Sequence, residues 1–127
     1  MIVAEKSDEP PVYVQHVTVR PPGEDEPQRR GTVAARYEDG IWYIGWSICH
    51  PRDRFSRKIG RAKAVGRTRA KGTGPVMPWW FIENIRQMCD FLEKRGLLRV
   101  GDILSVAYLT EDQSRHIRIE MVTDCLT

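Results

Sequence analysis

The chain has 127 residues, 41% of them hydrophobic and 29% charged, with a net charge of +3. That length suits one domain with its own core and is short for two. No apolar run approaches the roughly 18 residues that would point to a membrane-spanning helix, so a membrane partner is not expected.

The first eleven residues, MIVAEKSDEPP, are acidic and end in paired prolines. They read as a flexible leader at 1–11, followed by a single α+β domain over 12–127. The leader lacks the basic start and apolar stretch of a secretory signal, so a cytoplasmic location is expected. Residues 12–20, VYVQHVTVR, are rich in β-branched side chains and predict a strand. Residues 21–31, PPGEDEPQRRG, contain three prolines and read as a polar loop.

Thr32 to Cys49 carries the clearest local signal. Asp39-Gly40 separates two strand-like runs and suits a two-residue type I′ turn, which predicts a β-hairpin. In its second arm Trp42, Ile44, Trp46 and Ile48 alternate with Ile41, Tyr43, Gly45 and Ser47. The first set is expected to face the core, and Gly45 to leave room on the other face.

A helix follows His50-Pro51, with Asp53 or Ser56 as its N-cap. Helical spacing predicts a narrow inner face of Phe55, Ile59, Ala62, Gly66 and Ala70. Gly60 and Gly66 each weaken a helix by about 1 kcal/mol relative to Ala, which implies a packing or close-approach role. Gly72-Thr73-Gly74-Pro75 ends this helix, and Pro78 opens a second one. Its stripe of Phe81, Ile82, Ile85, Met88, Cys89 and Leu92 is expected to dock on a sheet, and Gly96 to stop it. Two further strands are expected at about 102–109 and 114–124, joined by a turn at 110–113. The predicted fold is α+β: a mainly antiparallel β-sheet with two helices, in the order β-ββ-αα-ββ.

The charge is strongly local. His50 to Lys71 holds nine of the twenty Lys and Arg residues and a single acid, Asp53, giving +8 there against −5 for the rest. The nine are Arg52, Arg54, Arg57, Lys58, Arg61, Lys63, Arg67, Arg69 and Lys71. Solubility would be served by spreading the charges with less self-repulsion, so an anionic partner is the better account. Arg, which supplies six of the nine, engages phosphate with two parallel hydrogen bonds. A merely solvated helix face usually interleaves acids at i+4, and none does so here. The competing explanation is a salt-bridging partner among the acids of the same or another chain.

The start of this helix adds free N–H groups and a positive dipole end beside Arg52, Arg54 and Arg57, which suits a phosphate. Trp79 falls on the polar side of the second helix and Trp80 near the edge of its stripe. An exposed ring close to a basic helix can stack a base, worth ~1–3 kcal/mol. Covering a helix start or a sheet edge is the commoner use of such rings. Near the C-terminus, His116, Arg118 and Glu120 alternate with Ile117, Ile119 and Met121, as in a sheet with one wet face. Arg115 and Arg118 could extend the basic surface.

Catalytic and metal templates find little support. His50 is isolated and precedes a proline, so it reads as a loop residue. Cys49, Cys89 and Cys125 are odd in number without C-x-x-C spacing, which indicates neither a disulfide framework nor a zinc site. Cys49 and Cys89 are expected as small buried hydrophobes. Gly72-Thr73-Gly74 lacks the Gly-Lys-Ser/Thr ending of a Walker loop, and no G-x-S-x-G, H-E-x-x-H or comparable constellation is present. No cofactor, no metal ligand and no catalytic residue is assigned.

The segment from Cys49 to Arg67 resembles a pattern found in small uncharacterised phage- and prophage-encoded proteins. There the chain runs strand, Cys-x-Pro-x-Asp-x-Phe-Ser, a Lys/Arg pair, then two Gly-Arg dipeptides. The matching positions are Cys49, Pro51, Asp53, Phe55, Ser56, Arg57, Lys58, Gly60, Arg61, Gly66 and Arg67, within about one-sixth of the chain. The resemblance implies a phage origin and a special role for the Gly-Arg pairs, without implying an activity.

The leading expectation is therefore non-catalytic binding of nucleic acid or nucleotide phosphates through the basic helix. One alternative is a phage inhibitor that binds an acidic surface on a host protein. Another is a nucleotide-processing enzyme. A homo-oligomer also remains open, since small binding domains often gain area by symmetry, although no heptad or large apolar stripe argues for one.

Overall fold

A computed structural model describes residues 2–5, 12–38, 40–69, 77–98 and 117–120. These residues form strands β1 (Ile2–Glu5), β2 (Val12–Val19), β3 (Arg29–Glu38) and β4 (Ile41–Ile48), helices α1 (Arg57–Arg67) and α2 (Ile82–Lys94), and strand β5 (Ile117–Glu120). The strands make one antiparallel sheet in the order β1-β2-β3-β4-β5. The class is α+β with an antiparallel sheet and two helices, as the sequence predicts.

The β3–β4 hairpin follows its expected register. Glu38 pairs with Ile41, so two residues make the turn, and Gly40 has φ of 81°, the left-handed conformation that such a turn favours. β3 begins at Arg29, inside the segment read as loop, because Val19↔Arg29 and Thr18↔Arg30 extend its ladder with β2. The leader reading also needs correction at its start. Ile2–Glu5 pairs with β2 from Ile2↔Gln15 to Glu5↔Val12, since an Ile-Val-Ala run can take up the open edge of β2. Residues 6–11, Asp39, the expected strand at 102–109 and the turn at 110–113 lie outside the described residues.

Strand alternation gives the sheet two different faces. On one, Tyr13, Val17, Val33, Ala35, Trp42, Ile44 and Trp46 pack with Phe81, Ile85, Met88, Cys89 and Leu92 in a core of large side chains. α2 docks through its predicted stripe, preceded by a 3₁₀ turn at Trp79–Phe81. Each fully buried large side chain contributes roughly 1.5–3 kcal/mol, so this layer supplies most of the apolar stabilisation. Trp42 Nε1 donates to Leu97 O at 3.1 Å, and Gly96, at φ of 74°, ends the helix where expected.

The other face carries α1 on a much smaller cluster of Val12, Val14, Ala34, Ala64 and Val65. Here backbone comes close to backbone. A Cβ on Gly45 would collide with Ala64 O and lie 2.9 Å from Thr68 N, and one on Gly60 would collide with Thr32 Oγ1. Gly45 thus leaves the room expected of it, and Gly60 has the anticipated close approach. Gly66 does not, because nothing lies within 4 Å of where its Cβ would be.

Gly45→Val should lower stability by about 2 kcal/mol or more, because α1 must lift off the sheet to admit the side chain. Gly66→Ala should be neutral or raise stability by ~0.5–1 kcal/mol through helix propensity alone. Urea denaturation of the two variants checks this contrast; equal effects would mean that α1 is not seated on Gly45.

Candidate functional site

Between β4 and α1 the chain turns through a short, internally bonded loop. Cys49 N–H donates to Arg30 O at 2.7 Å and Asp53 N–H to His50 O at 2.9 Å. Arg29 Nε donates to Cys49 O at 2.9 Å. His50 Nδ1 accepts from Arg52 N–H at 3.1 Å, which leaves the neutral ring's proton on Nε2. The cap is Ser56, whose Oγ accepts from Ile59 N–H at 3.2 Å. Asp53, the other candidate, sits earlier in the exposed turn.

Ser56 satisfies one of the free N–H groups at the helix start. No acid occupies the first turn. Arg57 and Lys58 stand there instead, where cations oppose the positive dipole end by ~0.3–1 kcal/mol each. The opposite end is treated differently. Arg36, only 5% exposed, donates through Nε to Thr68 Oγ1 at 3.1 Å and through Nη2 to Thr68 O at 3.2 Å. It also pairs with Glu38 at 3.1 Å and lies 4.8 Å from the Tyr43 ring centre. An internal arginine therefore serves the negative end of α1, whereas the first turn at the positive end holds no acid.

The inner face of α1 differs from the expected one. Gly60, Ala64 and Val65 are buried, while Ala62 and Gly66 are exposed and Ile59 is 56% exposed. Helical spacing of apolar residues selected the wrong face because the sheet beneath presents Gly45, Ala34 and Thr32, where small size decides the fit. Ala70 lies outside the described residues.

Seven of the nine cations, Arg52, Arg54, Arg57, Lys58, Arg61, Lys63 and Arg69, are exposed. Arg61 has a partner within the protein. Among the described residues, no carboxylate makes an ion pair with Arg52, Arg54, Arg57, Lys58, Lys63 or Arg69; the ion pairs found are Arg36–Glu38 and Arg86–Glu83. Arg67 is placed differently from these seven. It is half-buried, its Nη1 donates to Trp46 O at 2.8 Å, and burial pulls its pKa below the ordinary value. Lys71 lies outside the described residues, as do Gly72-Thr73-Gly74, Arg115, His116 and Cys125.

Two residues not singled out by the sequence join the patch. The Arg30 guanidinium lies 4.5 Å over the Phe55 ring, and the His16 ring meets the same ring edge-on at 5.7 Å. His16 Nδ1 and Thr32 Oγ1 are hydrogen-bonded at 2.9 Å. Burial holds the His16 pKa below its ordinary value of 6.5, with Arg57, Arg30 and the N-terminus adding to the effect. Counting back along β3 from the Asp39-Gly40 turn would have placed Arg30 on this face, had the strand been extended past Thr32.

A cleft of about 350 Å³ opens between the end of β4 and the first turns of α1, bordered by Cys49, His50, Asp53, Arg54, Ile59 and Lys63. Cys49 is half-buried at this cleft rather than fully enclosed; Cys89 is fully buried, and burial, with Asp90 adding, pushes its thiol up to about 12. A smaller cleft of about 230 Å³ lies at the other end of α1, beside Arg36, Thr68 and Arg69. Among the described residues, no group of three His, Cys, Asp or Glu is placed to hold a metal ion, and no helix is long and apolar enough to cross a membrane.

Trp79 is 73% exposed, whereas Trp80 is half-buried with its ring 6.3 Å from that of Phe81. Both belong to the α2 layer, across the sheet from α1. The sheet therefore separates these rings from the basic helix. No protein-family model matches this chain, and neither a curated protein nor a solved structure matches it.

The position of His16 gives a direct test of the patch. Its NMR titration should fall below pH 6.5, and in Arg57→Gln it should move upward towards that value. Because the folded state resists protonation, His16 should take stability away as pH drops below 6.5 and leave it unaffected above. An unchanged titration in the variant would show that Arg57 does not act on the His16 ring.

Proposed function

We propose that the protein binds nucleic acid or nucleotide phosphates, without catalysis, on the outer face and N-terminal end of α1. The observation that carries this reading is the uncompensated positive charge there. Exposed cations surround a first helical turn that holds no acid, and among the described residues the chain's own carboxylates leave Arg54, Arg57, Lys58 and Lys63 unpaired. The competing explanation for the basic run was a salt-bridging partner among the acids of the same or another chain; among the described residues, the ion pairs Arg36–Glu38 and Arg86–Glu83 serve other arginines. An arriving phosphate would accept from backbone N–H groups and guanidinium groups together, and would relieve the repulsion between Arg57, Lys58 and the helix dipole.

Arg52, Arg54, Arg57, Lys58, Arg61, Lys63 and Arg69 are the phosphate-contacting residues in this reading, with Arg30 added from β3. Arg67 is a structural residue. The Gly-Arg pattern resembling phage proteins supports a phage origin. In that pattern, Gly60 allows α1 to sit close to the sheet while Arg61 stays outside.

Binding should be measured against single-stranded DNA, duplex DNA, RNA and mononucleotides over a salt series. A long nucleic acid should lose affinity steeply with salt, because each neutralised phosphate releases condensed counterion. A mononucleotide should show a shallow slope. Arg57→Glu/Lys58→Glu should weaken nucleic-acid binding ~10-fold or more and reduce the salt slope by about 2. The same affinity and slope in this variant would remove α1 from the explanation.

A further inference from the structure

Phosphate attraction alone does not account for the make-up of the cleft beside α1. Its volume of about 350 Å³ falls within the roughly 300–1,000 Å³ of small-ligand sites. Phe55 and Ile59 give it an apolar floor beside the cations Arg54 and Lys63, while the Ile48 side chain packs on the α2 face of the sheet. Ile59 is 56% exposed between exposed cations on the same helix, where it does little for the core. A polyanionic backbone lying on the rim would leave this floor in water. A flat base resting on it would remove apolar surface from water on both sides. Asp53 borders the same cleft. Its carboxylate repels a phosphate but accepts hydrogen bonds from the N–H edges of a base, so the phosphate and base ends of a ligand would be sorted within the site.

We propose that the cleft takes one unpaired nucleotide, its base against Phe55 and Ile59 and its phosphates on Arg54 and Lys63. The partner is then single-stranded nucleic acid, since a paired base must leave its duplex before it can enter. This inference rests on the phosphate-binding reading and narrows it.

The test compares oligonucleotides of about ten residues by fluorescence anisotropy: oligo-dT, oligo-U, an abasic strand of equal length and a duplex. Wild type and Ile59→Ala are measured in parallel. Because Ile59 is exposed, the substitution leaves the core intact. In wild type the abasic strand and the duplex should each bind ~10-fold more weakly than oligo-dT or oligo-U. Ile59→Ala should weaken the base-containing strands by ~5-fold and leave the abasic strand within about twofold. The dT and U strands, which differ in both the 2′-hydroxyl and the 5-methyl group, sample DNA and RNA, and binding of either above the abasic strand supports the site. Equal binding of abasic and base-containing strands, an equal loss for both in Ile59→Ala, or tighter binding of the duplex overturns the cleft proposal while phosphate binding stands. Failure of every oligonucleotide to bind at low salt overturns both.

Discussion

The approach of α1 to the sheet at Gly45 and Gly60 is the constraint on which the remaining features depend. Without side chains at these two positions, helix and sheet come together until Ala64 O and Thr32 Oγ1 occupy the space that a Cβ would need. Contact of this kind uses little of the helix circumference. Gly60, Ala64 and Val65 are its buried residues, and the long basic side chains are left to the outside. A broader apolar stripe, like that of α2, would have consumed positions that here carry Arg and Lys.

The two faces of the sheet consequently divide the work. The α2 face holds the large side chains, with Trp42, Ile44, Phe81, Ile85, Met88 and Leu92 almost wholly enclosed. The α1 face needs only enough burial to hold one helix in place. Its electrical asymmetry follows from the same arrangement. Arg36 reaches from β3 to Thr68 at the C-terminal end, while Arg57 and Lys58 occupy a first turn that holds no acid. An arrangement that is unfavourable in isolation becomes favourable once an anion is bound.

Some of this was legible in the amino-acid order. The β3–β4 hairpin is encoded by strict alternation around Asp39-Gly40, and α2 by a stripe of large apolar residues at helical spacing; both signals are local. The facing of α1 was not legible, because apolar periodicity ranks Ile59 above Gly60 whereas the docking surface rewards the smaller residue. The direction of Arg67 was equally hidden. It shares its type and helix with Arg57, and only the position of Trp46 O turns it inward. Arg30 was lost with the boundary of β3, which long-range pairing to β2 extends to Arg29. β1 was lost for a related reason, since an edge strand of four residues takes its stability from its partner rather than from its own sequence.

The most direct measurement of the central claim is a ¹H–¹⁵N correlation spectrum recorded while a short single-stranded oligonucleotide is added. The account predicts that the largest amide shifts cluster at Arg30, Arg54 and the first turns of α1 from Arg57 to Lys63, with α2 and Trp79 nearly unmoved. Shifts concentrated on the α2 layer, or an unchanged spectrum at saturating oligonucleotide, would contradict it.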